Sequence, residues 1–134
     1  MQTYETTFRV RYAETDQMGV VYYANYFVWM EVGRVEYCRS IGILYRDLEK
    51  ELGVGLAVAG ADCRYLYPAR YDDLIRVRTG VSEAGPRMLT FSYEIENAES
   101  GRTLAKGHTK HVFVDRAMKP CKLPKEFRPL FETE

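Results

Sequence analysis

A single antiparallel β-sheet packed on one long helix, an α+β arrangement, is the fold class this sequence predicts. Three observations carry it. The chain opens with a strictly alternating strand pattern, continues with one stretch of helical periodicity, and finishes with four further strand patterns set apart by turn residues. Short turns between successive strands imply an antiparallel meander.

From Thr3 to Tyr12 the first strand places Tyr4, Phe8, Val10 and Tyr12 on one face and Glu5, Arg9 and Arg11 on the other. In the helix, Tyr26, Trp29, Met30, Gly33, Tyr37 and Ile41 recur at offsets of three and four, while Glu31, Arg34 and Arg39 fall elsewhere on the wheel. Gly33 sits on the apolar side, where a missing side chain lets a helix approach a sheet closely despite its cost of about 1 kcal/mol in propensity. A second short helix carried by Leu44, Leu48 and Leu52 is expected before Gly53, which is placed to end it.

The later strands are expected at 54–67, 74–83, 87–96 and 102–115. Among them 87–96 is the clearest, with Leu89, Phe91, Tyr93 and Ile95 alternating with Thr90, Ser92, Glu94 and Glu96 between Ala84-Gly85-Pro86 and Asn97–Gly101. Gly60 and Gly107 lie inside strand patterns and mark a bulge or a close backbone approach. The tail carries Pro120, Pro124 and Pro129 around one helical turn. Because Val112, Phe113 and Val114 put apolar side chains on both faces of one strand, a second copy is expected to cover surface that one helix cannot.

At 134 residues the chain reads as one domain spanning 1–134, long enough to bury about two thirds of its unfolded surface without staples. Cys38, Cys63 and Cys121 form no CxxC pair and leave an odd thiol, so a reducing compartment, the cytoplasm, is expected. Nineteen basic and nineteen acidic residues cancel without forming long blocks. That argues against nucleic acid or anionic lipid as a partner. No apolar run approaches the roughly 20 residues of a membrane span and no leader pattern opens the chain, so a soluble, uncleaved protein with no membrane insertion is expected.

The loop Thr15-Asp16-Gln17-Met18-Gly19-Val20-Val21-Tyr22-Tyr23 runs straight into the helix. It brings a carboxylate beside a helix start, whose free backbone N–H groups and positive dipole end favour an anion, an arrangement suited to acyl transfer or hydrolysis. An aspartate is ionised at neutral pH and needs no tuning to act as a nucleophile or as a base toward water. Its bland role is to hold a turn or cap a helix. Simple capping fits poorly here, because Gly19, Val20 and Val21 separate Asp16 from the helical pattern.

With these elements in order, the chain resembles the hotdog-fold acyl-CoA thioesterases, the 4-hydroxybenzoyl-CoA thioesterase branch and its relative associated with the Tol-Pal system. The resemblance rests on Tyr12-Ala13-Glu14-Thr15-Asp16 through Gly19-Val20-Val21-Tyr22-Tyr23, then Asn25-Tyr26 and Glu31, Tyr67-Pro68-Ala69 before Asp72-Asp73, and Ala105-Lys106-Gly107. It implies a five-stranded antiparallel sheet wrapped around a long central helix, in a homodimer or homotetramer with its sites at a subunit interface. It also implies hydrolysis of acyl-CoA to a carboxylate and free coenzyme A with no metal or cofactor. Asp16 would be the catalytic carboxylate, and the Tyr23 backbone N–H would bind the thioester carbonyl of the substrate. The Tol-Pal-associated relatives usually carry His where this chain has Tyr23, a departure that removes a His-assisted route and leans toward an aromatic or short acyl group. Whether Asp16 attacks directly, giving a mixed anhydride, or activates water is left open by spacing.

Other candidates are weighed against bland roles. Glu31 with Arg34 three residues on reads as a surface ion pair, with Glu31 a reserve carboxylate. His108 and His111 fall on opposite faces of the last strand, so they form no pair and no metal-ligand spacing surrounds them. With neither GxxxxGK[ST] nor GxGxxG present, the phosphates of coenzyme A would need rim cations, for which Arg87 is the substrate-binding candidate and Lys106 and Lys110 the others. Two alternatives remain: a hotdog dehydratase, disfavoured by Tyr23 in place of His, and a non-catalytic acyl-CoA-binding subunit.

Overall fold

In the computed structural model, which describes residues 1–132, the chain leaves the sheet at one edge and re-enters it at the other. Strand β1 (Thr3–Arg9) is followed by a 3₁₀ turn (Tyr12–Glu14), helix α1 (Asn25–Ser40) and helix α2 (Tyr45–Glu51). Then come β2 (Gly55–Tyr65), β3 (Leu74–Ala84), β4 (Met88–Asn97), β5 (Thr103–Val114) and a 3₁₀ segment (Lys125–Phe131). The strands lie in the order β1-β3-β4-β5-β2, every neighbouring pair antiparallel. Since β1 and β2 form opposite edges, the connection through α1 must cross the sheet. The helix lies against one face, as the hotdog arrangement requires.

Burial along α1 explains the crossing. Tyr26, Trp29, Met30, Gly33, Tyr37 and Cys38 are buried against Val77, Val81, Leu89, Phe91, Tyr93 and Ile95 of the inner sheet face. A methyl group on Gly33 would stand 2.5 Å from Thr79 Oγ1 and 2.8 Å from Val77 Cγ1, so glycine sets how closely helix and sheet approach. Gly107 likewise faces Met30 and the Asp62 carbonyl with no room for a Cβ. The register slips between Val58 and Gly60, which accounts for Gly60 as part of a bulge.

Several expectations are corrected. The first strand ends at Arg9, and Tyr12 lies in the 3₁₀ turn with 77% of its surface exposed. Arg34 is buried rather than solvated. Among the described residues it makes no ion pair with Glu31, and its Nε has no hydrogen-bond partner. The offset 26, 30, 33, 34, 37 carries Arg34 to the flank of the apolar stripe, where the sheet covers it. Val114 is covered within the chain, since Pro120 bridges to it and the tail folds back over the strand end. The outer sheet face is a ladder of charges instead of an apolar layer: Arg78 reaches Glu5, Glu94 and Glu96 at 3.1, 3.3 and 2.9 Å, and Lys106 reaches Glu94 at 3.3 Å. Among the described residues no helix is long and apolar enough to cross a membrane.

Candidate active site

Pairings of Arg9 with Leu74, Ile75 with Asn97 and Tyr65 with Ala105 gather five strand termini at one end of the sheet. The loop 10–24, the start of α1 and the loop 66–73 all lie there. The two loops clamp each other through backbone bonds, Val10 N–H to Asp73 O at 3.0 Å, Asp72 N–H to Val10 O at 3.1 Å and Val21 N–H to Ala69 O at 2.8 Å. Thus the Tyr67-Pro68-Ala69 and Asp72-Asp73 stretches brace the segment that carries Asp16.

Within that segment, Glu14 is the anchor. Its carboxylate is buried, with Oε1 accepting the Arg11 N–H and Oε2 the Trp29 indole N–H, each at 2.8 Å. Its backbone carbonyl accepts the Tyr22 N–H at 2.9 Å and the Asn25 side-chain amide at 2.8 Å. One residue therefore ties the loop to the first and second turns of α1. Both oxygens of this buried side chain thereby have a donor.

Asp16 sits in a tight turn. Its N–H donates to Val20 O at 2.9 Å, Gly19 closes back on Asp16 O at 3.0 Å with a φ of 79°, and Oδ1 accepts the Met18 N–H at 2.8 Å. Glycine is favoured at 19 because that φ is costly for any residue with a Cβ. The second carboxylate oxygen has no partner among the described residues and Asp16 is half-exposed, so one oxygen is free for chemistry. The Tyr22 hydroxyl is raised above its ordinary pKa, first by its contact with Tyr23, whose ring lies 4.7 Å away, and last by the charge of Asp16.

At the helix start, the Tyr22 and Asn25 N–H groups are bonded while, among the described residues, the Tyr23 and Ala24 N–H groups donate to nothing. Ala24 is the N-cap and offers no capping side chain. These are the orphan donors that every helix start leaves, here neither capped nor buried. Beside them a cavity of about 290 Å³ is lined by Val21, Tyr23, Tyr26, Tyr65, Leu66, Tyr67 and Pro68. Tyr26 is fixed by its hydroxyl, which accepts the Ala69 N–H at 3.1 Å, and its ring meets Tyr65 edge-on at 5.1 Å.

The remaining candidates lie elsewhere. Arg87 precedes β4 at the opposite end of the sheet, where Ala84 faces Leu89, so a single chain does not bring it to Asp16. Lys106, His108 and Lys110 are exposed on the outer face, with His108 3.2 Å from Asp62. Glu31 is exposed on α1. His111 is fully buried, 2.8 Å from the Thr109 hydroxyl, and burial first and Arg34 second lower its pKa to about 4. Among the described residues no group of three His, Cys, Asp or Glu side chains is placed to hold a metal ion. The hydrogen bonds by which Glu14, Tyr26 and Tyr65 brace the site escape sequence reasoning because their partners lie 15 to 43 positions away, beyond any local periodicity.

The family model for the thioesterase-like superfamily matches residues 10–131. The putative acyl-CoA thioesterase YneP of Bacillus subtilis is 40% identical over 119 residues, covering 88% of this chain and 85% of that protein. The acyl-CoA thioesterase YbgC of Haemophilus influenzae is 35% identical over 124 residues, covering 92% and 90%. Among solved structures, the DHNA-CoA thioesterase of Staphylococcus aureus superposes with a TM-score of 0.90 at 34% identity, over 95% of this chain and 85% of that one.

Proposed function

Because this chain belongs to the thioesterase-like superfamily, we propose that it hydrolyses acyl-CoA thioesters to a carboxylate and free coenzyme A, with Asp16 and the Tyr23 N–H at the reacting carbonyl. One observation carries the reading most directly: among the described residues, an uncapped helix start with a free Tyr23 N–H follows a hydrogen-bonded loop that leaves one Asp16 oxygen unpaired. A thioester is already an activated acyl donor, so the main demand is to stabilise the oxyanion that forms on attack.

Two routes share this geometry. In one, an Asp16 oxygen bonds to the thioester carbon, the thiolate of coenzyme A leaves and takes a proton from solvent, and water then cleaves the mixed anhydride to release the acid and restore Asp16. In the other, Asp16 takes a proton from a water molecule as that water attacks the carbon, and the departing thiolate recovers the proton. The Tyr23 N–H would hold the oxyanion in both.

The cavity beside the helix start, walled by four tyrosines, suits a flat aromatic acyl group, consistent with Tyr at position 23. The free edge of β2, where Val58 is 56% exposed and Gly55, Ala57, Ala59, Gly60 and Ala61 add little bulk, suits pairing with a second copy into a homodimer or homotetramer. Arg87 would then serve coenzyme A phosphates only in a site to which a second copy contributes it. Three unpaired cysteines fit the cytoplasm.

The test is thiol release from a panel of aromatic and aliphatic acyl-CoAs by wild type and Asp16→Asn. A loss of kcat of at least a hundredfold in Asp16→Asn is expected, with far-UV circular dichroism unchanged. Equal turnover by the two proteins would remove Asp16 from the chemistry.

A further inference from the structure

We propose that Tyr65 is a positioning residue for hydrolysis, holding the peptide between Tyr23 and Ala24 so that the Ala24 N–H at the start of α1 faces the oxyanion beside the Tyr23 N–H. The inference rests on the Tyr23 N–H, which belongs to the preceding peptide, being an oxyanion donor, and it adds the Ala24 N–H as a second donor with Tyr65 as the support for that second one.

Tyr65 ends β2, and its hydroxyl donates to the Tyr23 carbonyl at 3.0 Å across 42 positions of sequence. The same carbonyl receives only a longer bond, 3.3 Å, from the Tyr26 N–H. In a trans peptide the C=O and the following N–H point in opposite directions, so drawing the Tyr23 oxygen toward Tyr65 turns the Ala24 N–H the other way. A bond accepted by the carbonyl also polarises that amide and strengthens its N–H as a donor.

Nothing within α1 does this work. The N-cap, Ala24, has no side-chain cap and the first turn holds no acidic residue, so the helix start is free to bind an anion but lacks a local fixing group. Tyr65 supplies one from the sheet. Its ring also meets Tyr23 edge-on at 6.3 Å and Tyr26 at 5.1 Å, which leaves the hydroxyl little freedom to wander. Burial first, and neighbouring Cys63 next, hold the hydroxyl protonated well above its ordinary range, so it stays a donor at every working pH.

Tyr65→Phe keeps the ring contacts and deletes the bond. Its kcat is expected to fall about tenfold with KM within about twofold and the unfolding midpoint unchanged, because the missing bond acts on transition-state charge. A ring that only packs would leave kcat at the wild-type value, which would overturn the proposal. A second readout needs no turnover: the carbonyl stretch of a bound acyl-CoA analogue with a methylene in place of the sulfur. Wild type is expected to shift it to lower frequency than in water, and Tyr65→Phe to shift it less. Equal shifts in the two proteins would overturn the role of Tyr65 and leave Tyr23 as donor. No shift in wild type would overturn the donor assignment and the role of Tyr65 with it.

Discussion

The Glu14 carboxylate accepts the indole N–H of Trp29 at 2.8 Å, joining the loop that carries Asp16 to the second turn of α1 through a bond buried from solvent. Its other oxygen satisfies the Arg11 N–H, so the carboxylate is a two-sided staple. The segment between them, residues 15 to 24, is held at both ends while its exposed face stays free. A rigid loop matters here because misplacing a reacting group by about 1 Å can cost a hundredfold in rate.

Glu14→Gln places an amide NH₂ against one of two N–H donors and leaves that donor unsatisfied in a buried site. The expected cost is about 1–3 kcal/mol of stability, read as a lower urea midpoint at unchanged slope. Turnover should fall by at least about tenfold although residue 14 touches no substrate. An unaltered midpoint and rate would show that the staple is redundant with the backbone clamp from Ala69 and Asp73.

Gly33→Ala tests how closely the helix meets the sheet. The added methyl would stand 2.5 Å from Thr79 Oγ1, and Thr79 is fully buried with no room to withdraw. Overpacking of about 1–3 kcal/mol competes with roughly 1 kcal/mol gained in helix propensity. A net loss of up to about 2 kcal/mol in denaturant unfolding is expected. A gain would mean that α1 lifts from the sheet at little cost.

His111 makes stability depend on pH. Its folded pKa, lowered to about 4, lies below the ordinary value of 6.5, so the unfolded chain takes up the proton first as the solution is acidified. The contribution is whole above about pH 6.5, is lost progressively as pH falls toward 4, and levels off below. Its span is about 3 kcal/mol. Urea midpoints from pH 4 to 8 should slope upward in wild type and flatten over that window in His111→Asn, which can still bond the Thr109 hydroxyl. Parallel slopes in the two proteins would assign the effect to other groups.

Much of this molecule is readable from residue order because local periodicity decides it. Alternation in 87–96, the three-and-four spacing of Tyr26, Trp29, Met30, Gly33 and Tyr37, and the turn glycines each act within a few residues, and the elements fall within a residue or two of where those patterns place them. The Tyr12 and Arg34 expectations fail for the same reason. Periodicity treats a pattern as continuing until something breaks it, whereas the backbone clamp from Asp72 and Asp73 stops β1 early and the sheet reaches around the helix to cover Arg34.

The loop Thr15–Tyr23, with its acid and its glycine turn ahead of a helix, is determined by the sequence alone, since each part acts on its near neighbours. What holds that loop is a tertiary matter. Glu14 meets Trp29, Tyr26 meets Ala69 and Tyr65 meets Tyr23 only because the sheet order carries β2 and the loop 66–73 to the end where α1 begins. Arg87 is left at the other end by that same order. Hydrogen bonds need atoms about 3 Å apart, and strand order, which no local pattern encodes, decides which distant residues come that close.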